Sequence, residues 1–112
     1  MYAKQFHANA LDWQPSGIDG VNFKVLDGDP ASGPSVVVYR LDPGSVIPAH
    51  RHTESDEVAY VLDGDFIEGD TTHEAGSVFA APAGVEHGAH RTESGCTVLF
   101  VLSRQLDFVA SA

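Results

Sequence analysis

Three histidines and one glutamate stand at spacings that can bring their side chains to a single metal ion. Gly44, His50, His52, Glu57 and Gly64 read G-x5-H-x-H-x4-E-x6-G, and Gly76, Pro82, Gly84 and His87 follow as G-x5-P-x-G-x2-H. Imidazole nitrogens with one carboxylate oxygen form a borderline donor set that suits iron, nickel, copper, manganese or zinc. Residues i and i+2 of a strand share a face, so His50 and His52 project together while Arg51 points away. Thr53-Glu54-Ser55-Asp56 is polar and reads as a connection. Glu57 then opens the apolar run Val58-Ala59-Tyr60-Val61-Leu62, which ends at the turn signal Asp63-Gly64. If these strands pair, Glu57 returns to the side that carries the two histidines. Pro82-Ala83-Gly84 marks a second turn, and His87 begins the strand after it. The expected metal ligands are His50, His52, Glu57 and His87, with one or two coordination positions left for water or substrate.

Holding four donors in place calls for short strands and tight turns, and the composition supplies both. Eleven glycines and six prolines in 112 residues favour many turns over long helices. Strands are expected at 21–26, 35–41, 46–52, 57–62, 65–68, 71–73, 77–80, 87–91 and 97–102, after an irregular lead-in over residues 1–20. No window carries helical periodicity over three turns. Regular short strands with turn signals predict an all-β jelly-roll barrel, and the length predicts a single domain over residues 1–112.

Charge and termini narrow the partners. Sixteen acidic against six basic residues give a net charge of −10 with no Lys/Arg cluster, which disfavours nucleic acid and anionic lipid. The start, Met1-Tyr2-Ala3-Lys4-Gln5-Phe6-His7, holds no apolar run of signal-peptide length, and no stretch has the length of a transmembrane helix. The single cysteine, Cys96, cannot close an intramolecular disulfide and reads as a small buried residue. The cytoplasm is the expected compartment. The runs Val36-Val37-Val38 and Val98-Leu99-Phe100-Val101-Leu102 are apolar on both faces, which predicts a homodimer.

The double motif resembles that of the cupin superfamily, and the chain as a whole resembles a small single-domain cupin. The likeness extends to Trp13, Gly20-Val21, Lys24-Val25-Leu26, Pro48-Ala49-His50-Arg51-His52 and Glu93-Ser94-Gly95-Cys96-Thr97. These residues are similar to one subgroup, the cupin half of ChrR-type anti-sigma factors and the acetylacetone-cleaving dioxygenases. The resemblance implies zinc or non-haem iron held by the H-x-H pair, the later histidine and, in some members, the glutamate. Anti-sigma activity in that subgroup belongs to a separate N-terminal zinc domain that these residues do not contain, so it is not expected here. The family's second motif usually ends in Asn where this chain has Arg91.

Strand parity would put His87 and Arg91 on one face, with Arg91 beside the metal and suited to a carboxylate or enolate substrate. The same parity sends His90 to the surface. His7 and His73 have no partner at ligand spacing and are read as non-ligands. Tyr60 is expected outside the cavity, at a subunit interface.

The favoured function is a metal-dependent dioxygenase acting on a small anionic, β-dicarbonyl or enolic substrate, with Glu57 and Arg91 as catalytic residues. Glu57 would either ligate the metal or take the substrate's acidic proton. Iron suits the oxygenase reading; zinc, nickel or manganese would suit an isomerase or lyase built on the same site. The rival class is a metal-bound sensor domain without turnover.

Overall fold

Alternation of apolar and polar residues decides which side chains reach the interior, and the strands that result are all antiparallel to their neighbours. The computed structural model describes residues 1–111. A 3-10 turn over Ala8–Ala10 precedes β1 (Gln14–Pro15), so the lead-in is less irregular than expected: Gln14 already pairs with Phe23. β2 (Val21–Gly28) and β3 (Ser35–Leu41) form a hairpin. The strand expected over 46–52 is divided into β4 (Val46–Ile47) and β5 (His50–Arg51). Pro48 has no N–H to give a ladder, which accounts for the interruption.

β6 (Glu57–Glu68) runs for twelve residues without stopping at Asp63-Gly64. β7 (Thr71–Glu74) and β8 (Val78–Ala81) fold back on it. β9 (Glu86–His87) and β10 (His90–Arg91) replace the single strand expected over 87–91. β11 (Cys96–Leu102) and β12 (Val109–Ala110) complete the chain.

The main sheet has the order β1-β2-β3-β11-β6-β10-β4, with β7 and β8 also on β6, while β12-β5-β9 make a second, three-stranded sheet. The first half of β6 pairs with β11 and β8, and its last residues pair with β7 and β10. One strand therefore belongs to both halves of the molecule and curls the sheet on itself. The curl is produced by a bulge: Val98 opposes Val61 while Thr97 opposes Asp63, so Leu62 is left over. Gly64, at φ +80°, sits beside it, and a Cβ there would lie 1.9 Å from the Gly95 carbonyl oxygen. Asp63-Gly64 is thus a bulge and not the hairpin turn that its sequence suggests; a positive-φ glycine serves both.

Within β6, Glu57, Ala59 and Val61 are buried while Val58, Tyr60 and Leu62 are exposed. Cys96, Val98, Phe100 and Leu102 of β11 join Val21, Val37 and Leu41 in the same core. Burial follows a period of two along these strands, as an antiparallel sheet with one covered face requires. The nearly all-β curled sheet agrees with the jelly-roll expectation.

Candidate metal centre

The ladder of the small sheet sets two histidines opposite each other. His50 pairs with His87 between β5 and β9, and Ala110 of β12 lies on the other side of His50. His52 follows two residues later, and Glu57 reaches the same interior from the start of β6. All four side chains are buried, as is Arg51 not, so the parity read from the sequence is the one observed. Ring centroids are 4.8 Å apart for His50 and His52, and 5.3 Å for each of them with His87. His52, Glu57 and His87 offer ligand atoms within 4.8 Å of one another, a group able to hold a metal ion. His50 stands beside that group and does not belong to its tightest set.

Hydrogen bonds choose the ring nitrogen that faces the centre. His50 Nδ1 is 2.8 Å from the Pro48 carbonyl oxygen, and His52 Nδ1 is 2.6 Å from that of Asp107. A carbonyl only accepts, so Nδ1 carries the proton and donates in both rings. His52 Nε2 then meets Glu57 Oε2 at 3.1 Å, and His87 Nε2 lies 3.9 Å from Glu57 Oε1. In a neutral His52 that contact would set a lone pair against a carboxylate, which needs a cation between them. A proton meets the need in one state and a metal ion in another. The donor set therefore fits a borderline transition metal, with carbonyls behind the imidazoles in the manner of orienting outer partners.

Electrostatics agree. Burial alone would lower the His52 imidazolium, but the Glu57 hydrogen bond and the Asp107 carbonyl raise it above the ordinary value. Burial would raise the Glu57 carboxyl, yet its bond to His52 and the fields of the three imidazoles bring it below the ordinary range. His50 is lowered, chiefly by burial.

These residues stand in the wall of a cavity of about 570 Å³ whose lining includes His50, His52, Glu57 and His90. Phe23, Tyr39, Phe66, Phe100 and Phe108 line it as well. Burial, and then the charge of Glu57, push the Tyr39 phenol up to about 12, so it remains protonated.

Two expectations are corrected. Arg91 does not look into the cavity: it is exposed and its Nη1 lies 3.2 Å from Glu93 Oε1. His90, expected at the surface, is 4 % exposed and stacks on Phe66 at 4.4 Å. The parity argument assumed one strand from His87 to Arg91. Instead the Gly88 N–H leaves the ladder to donate to Glu68 Oε2 at 2.9 Å, and the strand restarts at His90 with its phase shifted. Burial pushes the His90 imidazole down to about 4, so it is neutral; its Nε2 is 3.5 Å from Glu68 Oε1.

The sequence reading also missed the C-terminal segment. Asp107 receives His52 through its carbonyl and the Thr53 N–H through its carboxylate at 2.8 Å, and Phe108 lies 5.0 and 4.9 Å from the His50 and His52 rings. A two-residue strand has too short a period to register in a sequence.

The profile of the ChrR cupin-like domain matches residues 3–107. The germin-like protein subfamily 2 member 2 of Arabidopsis thaliana is 32% identical over 108 residues, 86% of this chain and 48% of that protein, so the chain spans about half of that relative's length. KdgF from Halomonas sp. superposes with a TM-score of 0.79 at 27% identity, covering 95% of this chain and 97% of that one. An acetylacetone dioxygenase from Acinetobacter johnsonii gives 0.76 at 18% identity, covering 99% and 79%, and so speaks for the fold. Matched along nearly its whole length, the chain belongs to the ChrR cupin-like domain family.

Proposed function

We propose that this protein is a metal-dependent enzyme that cleaves or rearranges a small β-dicarbonyl or enolic substrate, with dioxygenase chemistry as the favoured form. The observation that carries the reading is the His52–Glu57 contact of 3.1 Å, made with His52 Nδ1 already committed to a carbonyl, at the wall of a cavity of about 570 Å³. His52, Glu57 and His87 would hold the ion, with His50 as the fourth donor. When bound, a divalent iron would supply Lewis acidity and reactivity toward O2. Zinc, nickel or manganese in the same donors would support an isomerase or lyase.

The chain's own residues would do the rest. Glu57 lines the cavity as a carboxylate held ionised, and where it does not ligate the ion it is the base available to an acidic C–H between two carbonyls. Tyr39 lines it as a protonated phenol, a donor for a carbonyl oxygen. The apolar walls keep bulk water from the reacting carbon. That the Acinetobacter johnsonii acetylacetone dioxygenase shares this fold supports the substrate class. A cytoplasmic homodimer is part of the proposal, supported by the single buried cysteine and by the apolar outer sheet face.

The test is elemental analysis of protein purified without oxygen, followed by oxygen uptake with acetylacetone and larger β-diketones. Stoichiometric iron with substrate-dependent uptake is expected. Metal-free protein that fails to take up any divalent metal would overturn the assignment.

A further inference from the structure

All six basic residues of the chain lie outside the cavity, although the net charge is −10 and any anion would need a cation to meet it. Lys24 and Arg40 each sit 4.4 Å from the Trp13 ring, on the sheet face opposite to Phe23 and Tyr39. Lys24 Nζ donates to the Ala8 carbonyl at 3.0 Å. Lys4 pairs with Asp27, Arg91 pairs with Glu93, and Arg51 and Arg104 are exposed. No Lys or Arg side chain lines the cavity, and its one carboxylate, Glu57, is engaged with His52 at 3.1 Å, so no cation is left over for the body of a ligand.

The rest of the lining is built for rings. Phe23, Tyr39 and Phe100 form a continuous row, with centroids 5.7 and 5.5 Å apart. From the other half of the curled sheet come Phe66 and His90, stacked 9° from parallel. Offset and edge contacts with such walls favour a flat ligand. A volume of about 570 Å³ also exceeds what a five-carbon diketone can fill, and lies within the ordinary range for ring-sized ligands.

Resting on the proposed reading of the metal centre, we infer that the cavity takes an uncharged substrate whose oxygen end meets the histidines and whose body is a flat, apolar ring system, and that it rejects a body bearing a carboxylate. A buried carboxylate without a partner loses its hydration and gains nothing in return.

Three ligands with one enolic head test this: 2-acetyl-1-naphthol, its 6-carboxylate, and the methyl ester of that carboxylate. Acetylacetone serves as the small comparator. Calorimetry is run on the protein as purified and after removal of metal by a chelator. The naphthol and the ester are expected to bind, with the carboxylate at least about tenfold weaker in both states, and acetylacetone weaker than the naphthol.

Leu106, half-buried in the lining, gives the converse arm: Leu106→Arg should bring carboxylate binding up to that of the ester. Ala31→Arg, at an exposed lining position, takes its place if the first variant does not fold. Equal binding of carboxylate and ester by the parent protein would overturn the charge inference. Acetylacetone binding as tightly as the naphthol would overturn the ring inference, and no binding of any ligand by folded protein would overturn both. Failure of the metal reading shows separately, in metal content and oxygen uptake, because the ligand preference is also measured without metal.

Discussion

At the scale of single residues, two of the four donors are held by partners that the motif does not mention. Pro48 and Asp107 offer carbonyls to His50 and His52, and the bond to Asp107 leaves His52 Nε2 facing Glu57. Replacing both His50 and His52 by Ala is expected to reduce bound metal to a small fraction, read by elemental analysis of folded protein; full occupancy would dismiss the ligand set. Arg91→Gln is expected to leave metal content and ligand affinity unchanged, since the guanidinium faces solvent beside Glu93. Calorimetry with 2-acetyl-1-naphthol checks it, and a loss of affinity would mean that Arg91 reaches the site after all. His50, His52 and Glu57 were legible because a period of two is a property of any extended chain. His90 and Arg91 exchanged places because a side chain twenty residues away, Glu68, takes a backbone N–H that a continuous strand would have used. No local pattern encodes that.

At the scale of elements, β6 and the turn that follows β10 fix where the two halves of the sheet meet. The strand positions from β2 onward were largely readable, whereas the bulge was not, because Asp-Gly serves a turn or a bulge equally and only the pairing with β11 decides. Gly64→Ala tests the bulge. A side chain at φ +80° is strained, and its Cβ would collide with backbone that has no freedom to move away. A loss on the order of 3 kcal/mol is expected in denaturant unfolding, and an unchanged midpoint would contradict the geometry.

Asp65 holds the adjoining turn. Its carboxylate accepts from the Ser94 hydroxyl, from the backbone N–H of Glu93 and Ser94 at 2.9 and 3.0 Å, and from the Thr92 hydroxyl at 3.2 Å. The Ser94 hydroxyl, then the Glu93 N–H, bring its acid form down to about 2. A carboxyl with a depressed folded value contributes stability above its ordinary value, 3.8, and loses it as pH falls toward 2. Wild type should therefore exceed Asp65→Asn in melting temperature at pH 5 to 7, with the gap closing between about pH 4 and pH 2. A gap independent of pH would show that the hydrogen bonds, not the charge, carry the effect.

At the scale of the whole molecule, the outer face of the sheet is covered over β2 and β3, where Trp13 and Ala8 meet the buried Lys24, and is open over β6, β8 and β11. The inner face holds the core and the cavity. On the outer face Tyr60 pairs across to Val78 and Leu99, and Val58 to Val101, so register gathers these side chains into one patch. Val58, Tyr60, Leu62, Val78 and Val101 are 42 to 59 % exposed, a contiguous apolar area of the sort that monomeric proteins rarely leave in water. The pattern was legible as strands apolar on both faces, because apolar residues at successive positions of a strand must place some side chains on the outer face. A two-fold dimer would lay this patch on its own copy, and a stable interface of that kind buries roughly 800 Å² per partner. Self-repulsion from a net charge of −10 opposes association, so the dimer should be firmer at 0.3 M salt than at low salt. Sedimentation velocity at micromolar concentration is expected to give a dimer, and Tyr60→Glu with Val101→Glu to give a monomer that still binds metal, because neither side chain touches the interior. A wild-type protein that sediments only as a monomer at either salt concentration would remove the dimer, and would leave the exposed valines and Tyr60 to be covered by something other than a second copy.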